Sequence, residues 1–311
     1  MLRSIFMGTP AFALPSFEVV RAVTDLRLVV TQPDRPAGRG RTLRPPPVKD
    51  RAVAAGVEVA QPEGALSREL GDRLEAIAPD IVVVAAFGKI IGRRVLRLPR
   101  LGCINVHASI LPRHRGASPV AWAIRSGDVE TGITIQKMVL EMDAGDVLVQ
   151  RRTPIDPDET TGDLMSRLAG IGAESLREAI AATEAGTLAP SPQDTALATF
   201  APPLSKLDGA IDWSRDARQV HDHVRAMNPW PVAYTTCRDA RLLVKRTRVA
   251  SIGPSEAAPG SVVRADCGGV VVACGTGSVE VLEAQREGRS PLATTQLVCG
   301  RVLSICDLLG R

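Results

Sequence analysis

The chain has 311 residues, 45% hydrophobic and 23% charged, with a formal net charge of +4. That balance supports one large packed domain or two smaller ones and excludes a disordered or fibrous chain. It contains no run of about 18 apolar residues, which excludes an ordinary helical membrane span.

Within MLRSIFMGTPAFALPSF, the triplet AFA has the shape of a signal cleavage site. Gly8, Pro10 and Pro15 interrupt any apolar helix, however, so residues 4–8 read as a first strand and its turn. A helix over 14–23 and a strand over 26–31 follow. Residues 35–49, RPAGRGRTLRPPPVK, carry five cations and no acid, and read as an irregular Pro/Gly-rich loop. A strand at 57–62, a helix at 66–79 and the continuously apolar DIVVVAAFG at 80–88 come next, the last as a strand buried on both faces requires. Strand 102–109, helix 119–127 and the strand pair 131–139 and 146–155 complete an alternating pattern. Such alternation predicts an α/β, doubly wound, mostly parallel Rossmann-like sheet.

A long amphipathic helix spans 160–185, and the proline-rich stretch beyond it reads as a linker. After a helix at 214–227, five short strands (233–237, 241–250, 260–266, 268–275 and 278–285) predict a small antiparallel barrel or sandwich. The expected division is a first domain at 1–189, a linker at 190–206 and a second domain at 207–311. The six cysteines (103, 237, 267, 274, 299 and 306) have no C-x-x-C spacing. Reduced thiols in a cytoplasmic protein are expected, and with four histidines in all no metal site is expected.

The segment INVHASILPRHRG (104–116) carries the chemistry. Side chains alternate along a strand, so Asn105 and His107 project from one face. In an open α/β sheet ligands bind beyond the carboxyl ends of strands, which puts both groups at the mouth of a crevice. In LEMDAGDVL (140–148), Asp143 is placed to orient His107, with Glu141 and Asp146 as rivals. A carboxamide, an imidazole and a carboxylate suit attack of an amine on a carbonyl, with Asn105 donating to the developing oxyanion. Ser109 lacks a G-x-S-x-G elbow, which argues against a hydrolase triad. FMGTP after the first strand lacks G-x-G-x-x-G, which argues against a nicotinamide oxidoreductase.

INVHASILPRHRG together with MDAGD resembles the folate-dependent formyltransferase family, whose Asn, His and Asp triad matches Asn105, His107 and Asp143. TQPDRPAGRG (31–40), ETGITIQKM, AIDW (210–213) and NPWP (228–231) extend the resemblance over the whole chain, toward members that act on initiator tRNA. The resemblance implies a formyltransferase domain followed by an OB-like domain, a 10-formyltetrahydrofolate donor and an initiator Met-tRNA acceptor. It implies folate contacts from Ser109, Ile110, Leu111 and Pro112, and from Phe87, Gly88, Lys89 and Ile91. It also implies tRNA contacts from Arg35, Arg39, Arg41 and Arg44, and from Lys206, Lys245, Arg246 and Arg248. Ile110 stands where the family usually has Leu, His114 where an aromatic is usual, and Pro203 where relatives commonly carry Lys.

The residues themselves agree with an RNA partner, since segment 238–248 sets five cations against Asp239 alone. Strand alternation there puts Lys245 on one face and Arg246 and Arg248 on the other. Trp213 and Trp230 are expected to pack rather than to stack on bases. Two other readings stay open: a formyltransferase for a sugar-nucleotide amine, and an RNA-binding protein without catalysis. A bacterial, cytoplasmic monomer with no membrane partner is expected.

Overall fold

The computed structural model describes residues 1–37, 42–64, 66–238, 240–250, 257–266 and 268–310. Arg39 and Arg41, within residues 38–41 of the expected basic loop, lie outside these residues, as do Asp239 and Cys267. The chain divides into two compact units. One comprises Met1–Pro119, Glu130–Pro154 and Met165–Ala201; the other comprises Val120–Val129, Ile155–Leu164 and Pro202–Arg311.

The first unit opens with β1 (Arg3–Gly8), α1 (Leu14–Val23) and β2 (Asp25–Val30). A hairpin of β3 (Arg35–Ala37) and β4 (Thr42–Arg44) follows, then α2 (Pro47–Ala54) and β5 (Val59–Ala60). Next come α3 (Arg68–Ile77), β6 (Ile81–Ala85), α4 (Arg93–Leu96), β7 (Cys103–His107) and α5 (Pro119–Arg125), most of which belongs to the other unit. Strands β8 (Glu130–Lys137) and β9 (Val147–Pro154) and helix α6 (Thr161–Ala185) end the series. The seven strands lie in the order β5-β2-β1-β6-β7-β8-β9, parallel from β5 to β7 and antiparallel at β8 and β9. The chain therefore reverses direction across the sheet between β1 and β6, the switch point at which open α/β sheets bind ligands.

Strand β6 is apolar throughout, and β1 is apolar from Ile5 on, because both faces are covered there. Ile5, Met7, Val82 and Val84 pack with Leu70 and Leu74 of α3, while Phe6 meets Phe17 of α1 edge-on at 5.8 Å between ring centroids. Ser67 caps α3 by accepting the Leu70 N–H at 3.2 Å.

The described residues of segment 35–49 do not form the irregular loop expected: they hold strands β3 and β4 and the start of α2. Prolines caused the misreading. Pro47 sits in the first turn of α2, where its fixed φ suits a helix and its missing N–H costs nothing. The strand expected over 57–62 shrinks to Val59–Ala60.

In the second unit α7 (Ala217–Ala226) is capped by Asp216, which accepts the Gln219 N–H at 2.9 Å. Strands β10 (Ala233–Cys237), β11 (Ala240–Val249), β12 (Val262–Asp266), β13 (Gly269–Ala273), β14 (Ser278–Arg286) and β15 (Leu292–Ala293) follow, then α8 (Thr294–Cys299). Neither α4 nor α8 is anticipated from the sequence. The strands run β10-β11-β14-β13-β12, antiparallel at every step, with β15 added to β14. No ladder joins β10 to β12 among the described residues, so the hydrogen-bonded path is open, as in a partly open OB-like barrel. Trp213 is buried and donates to Thr235 Oγ1 at 3.0 Å, whereas Trp230 is half-exposed.

Candidate active site

The loops that follow β1, β2 and β6 all leave the carboxyl edge of the parallel strands, and side chains stitch them together. Thr9 Oγ1 donates to the Phe87 carbonyl at 3.1 Å, and Gln32 Nε2 donates to the Phe87 and Gly88 carbonyls at 3.1 and 3.0 Å. Gly88 has φ +75°, a left-handed conformation that glycine adopts without strain. Lys89 is tied to the Pro62 and Gly64 carbonyls. Of the expected folate contacts, Ser109, Leu111, Phe87 and Ile91 have buried side chains, while Ile110, Pro112, Gly88 and Lys89 are at least partly exposed.

Strand β7 delivers Asn105 and His107 to one face, with Asn105 half-buried and His107 only 5% exposed. Register places Gln136 opposite Asn105 and Thr134 opposite His107, and Gln150 of β9 opposite Thr134. Directly paired residues share a face, so one side of the sheet carries a polar row across three strands. This row builds the loop. Thr134 Oγ1 donates to the Ser109 carbonyl at 2.7 Å and accepts the Leu111 N–H at 3.2 Å; Gln150 Nε2 donates to the Leu111 carbonyl at 3.0 Å. Ser109 Oγ closes the loop on the Arg113 carbonyl at 2.6 Å.

Asp143 comes from the turn between β8 and β9. Its Oδ1 accepts from Gln136 Nε2 at 2.7 Å and lies 3.6 Å from His107 Nδ1; its Oδ2 accepts the Gly116 N–H at 2.9 Å. The 3.6 Å contact is electrostatic, since it exceeds hydrogen-bond length. His107 Nε2 donates to the His114 carbonyl at 3.0 Å. Both ring nitrogens thus face oxygen atoms, which fixes the plane of the ring. Of the three acids left open by the sequence, Asp143 is the one beside the imidazole; Glu141 is 75% exposed and lies 3.5 Å from Arg115. The Asn105 carboxamide makes no hydrogen bond among the described residues. An unengaged amide on the same strand face as an imidazole braced by a carboxylate can stabilise negative charge on a carbonyl oxygen.

Sequence reasoning missed the residues that brace this constellation. Gln136 is 1% exposed, and its Oε1 is left without a partner among the described residues. Gln193, in the segment expected to be a linker, donates to the Asp143 and Gly145 carbonyls at 2.8 and 2.7 Å. A Cβ on Gly145 would stand 1.7 Å from the Lys137 carbonyl oxygen, so the turn packs against β8 with no room for a side chain. The available signal was Thr134 and Gln136 alternating with Ile133 and Ile135, polar groups facing inward on a strand with no exposed face.

Thiols take no part in this constellation: burial pushes Cys103 and Cys274 up to about 12. Cys237 is also buried, and Cys299 and Cys306 are exposed.

The expected RNA contacts fall in both units. In the first, β3 and β4 set Arg35 directly opposite Arg44, both exposed, with Arg35 held on Gln32 Oε1 at 2.9 Å. Like charges opposed across a ladder repel, which suits a shared anion. Lys49 is neutralised by Asp34 at 2.8 Å, and the Lys49 hydrogen bond holds that carboxyl below its usual range. In the second unit, Lys206 is exposed, while the β11 cations are not bare. Arg248 meets Glu280 at 2.8 Å, Lys245 meets Glu283 at 3.7 Å, Arg246 meets Asp163 at 3.8 Å and Arg238 meets Asp307 at 2.7 Å. The register shifts around Arg246, so burial moves from Leu242 and Val244 to Thr247 and strict alternation fails across the bulge.

A formyl transferase family model matches residues 17–180, and a formyl transferase C-terminal domain model matches 203–302. The methionyl-tRNA formyltransferase of Sorangium cellulosum is 47% identical over 311 residues, covering 100% of both chains. That of Acetivibrio thermocellus is 42% identical, also covering 100% of both. Among solved structures, an N-formyltransferase from Helicobacter canadensis, in complex with folinic acid and dTDP-3-aminofucose, superposes with a TM-score of 0.70. It shares 14% identity, and the match covers 92% of this chain and 100% of that one. HypX from Aquifex aeolicus, in complex with tetrahydrofolic acid, gives a TM-score of 0.65 at 17% identity. That match covers 98% of this chain but 48% of HypX, so the chain spans about half of that protein's length.

Proposed function

The chain belongs to the formyl transferase family, and on that premise we propose that it transfers the formyl group of 10-formyltetrahydrofolate to the α-amine of methionine on initiator tRNA. The observation that carries this reading is that Asn105 and His107 share one face near the carboxyl end of β7, with Asp143 3.6 Å from His107. The full-length likeness to methionyl-tRNA formyltransferases supports the choice of acceptor.

The folate supplies a formyl group already activated on nitrogen. Asn105, whose carboxamide has no partner among the described residues, donates an N–H to the formyl oxygen as charge builds there. His107 exchanges the His114 carbonyl for that same oxygen, and Asp143 keeps the ring oriented while doing so. The new bond joins the methionyl nitrogen to the formyl carbon as the bond to the donor nitrogen breaks, and the proton the amine loses ends on that nitrogen, so tetrahydrofolate leaves neutral at that position. Ile110, Pro112 and the Gly88 backbone offer the surface a pterin needs, and the buried Ser109, Leu111, Phe87 and Ile91 shape that surface from behind. Arg35, Arg39, Arg41 and Arg44, with Lys206, Lys245, Arg246 and Arg248, meet tRNA phosphates. The proposal takes in a cytoplasmic monomer without a membrane partner. Among the described residues no helix is long and apolar enough to cross a membrane, which by itself assigns no location.

The test is direct. The protein is incubated with 10-formyltetrahydrofolate and either charged initiator tRNA or a dTDP-aminosugar, and blocking of each amine is measured. Formylation of the tRNA-borne methionine alone is expected. Formylation of the sugar alone, or of neither, overturns the proposal.

A further inference from the structure

We propose that Gln193 is a positioning residue for the transfer reaction: its carboxamide fixes the Asp143 turn and the loop that holds His107. The proposal rests on the reaction assigned above. Gln193 Nε2 donates to the Asp143 carbonyl at 2.8 Å and the Gly145 carbonyl at 2.7 Å, while Oε1 accepts from Arg115 Nε at 3.1 Å and Nη2 at 2.8 Å. Every hydrogen-bonding capacity of the amide is therefore used. Its orientation follows from chemistry, since a guanidinium only donates and must face Oε1, leaving Nε2 for the two carbonyls.

The turn needs a clamp. Asp143 has φ +52°, a left-handed conformation that a residue with a Cβ holds only when its surroundings enforce it. Arg115 is 2% exposed, and a guanidinium so buried must keep its acceptors. Arg115 also belongs to the loop that supplies the His114 carbonyl to His107 and the Gly116 N–H to Asp143. One amide thus ties the carboxylate's turn to the imidazole's loop. The segment carrying it is fixed on both sides, by the Ser191–Val147 bridge and by the bonds of Thr199 and Ala201 to residues 112–118. What composition presents as a linker is part of the site's frame.

Two near-isosteric variants separate positioning from mere bracing. Gln193→Glu keeps the shape and accepts from Arg115, but a carboxylate cannot donate to the two carbonyls; Gln193→Met removes both functions. Both are expected to lower kcat on the order of tenfold or more, with KM for folate and tRNA within about twofold of the parent. The pH profile of kcat is expected to move in both variants. Amide hydrogen exchange at 143–146 is expected to quicken in both variants, at an unchanged melting temperature in Gln193→Glu, which keeps an acceptor for Arg115, and at a lowered one in Gln193→Met, which does not. If Gln193→Glu retains the parent's kcat, pH profile and exchange, and Gln193→Met only melts earlier, the role is structural and the proposal fails. If the parent protein formylates no charged tRNA, the assigned reaction fails instead. The exchange readout then still judges the clamp, which parental protection in both variants would overturn.

Discussion

The Asp143 turn and strand β11 both present ionised side chains with named partners, yet they are built in opposite ways. At the turn, the carboxylate is enclosed by Gln136, Gly116 and His107, none of which is charged unless the imidazole is protonated. Along β11 Lys245, Arg246 and Arg248 each face an acid while Arg241 lies over the Tyr234 ring, and Arg246 and Arg248 are more than half exposed. Enclosed groups lose a fixed geometry when one partner goes, because water cannot replace it. Exposed ion pairs are worth about 0–1 kcal/mol each, and solvent or another anion substitutes readily. The first arrangement concentrates function in a few atoms; the second spreads it over a surface that can trade a carboxylate for a phosphate.

The sharpest way to break this contrast is at the enclosed end. Asn105→Ala is expected to reduce single-turnover formyl transfer on the order of 100- to 1000-fold, the size of losing one oxyanion donor. Asp143→Asn is expected to fall in a similar range because His107 loses its orienting charge. Near-parental turnover in both would remove the distinction between the regions.

A second break uses pH and the histidines of α7. Burial lowers His221, and burial drives His223 down to about 4, against a partial opposing effect of the Gly209 carbonyl. Both imidazoles are therefore held neutral in the fold while the unfolded chain protonates near 6.5. The His223 contribution is complete above about pH 6.5 and is lost as pH falls toward 4, and His221 acts in the same direction. From pH 7.5 to 5.0, His223 alone accounts for about 2 kcal/mol of lost stability. Thermal melts at the two pH values are expected to show that loss, and His223→Gln to reduce it. A parallel pH dependence in parent and variant would contradict it.

The smallest effects belong to the exposed cations. Arg246→Ala and Arg248→Ala are each expected to weaken tRNA binding a few-fold and to lower the slope of log K against log salt by about one. Arg44→Glu should stabilise the free hairpin by roughly 0.2–1 kcal/mol by replacing a like-charge pair, while weakening tRNA binding. A salt titration by filter binding reads the first effect, and amide exchange in 35–44 reads the second.

The sheet was legible because β1, β6 and β7 carry strong apolar runs separated by helical periods. The triad was legible because Asn105 and His107 interrupt such a run. Their support was not. Gln136, Thr134 and Gln150 acquire meaning only through ladder register, and Gln193 only through a fold that brings residue 193 against residue 143. The ion pairs of the β11 cations were illegible for the same reason: their acids, Glu280, Glu283 and Asp163, lie far off in sequence.

Gly145 carries an evolutionary corollary. With a carbonyl occupying the volume of even a methyl group, nineteen of the twenty genetically encoded residues are sterically barred unless β8 moves. A saturation library at codon 145, grown under selection for activity, should return the parental glycine almost alone, while neighbouring codon 146 drifts.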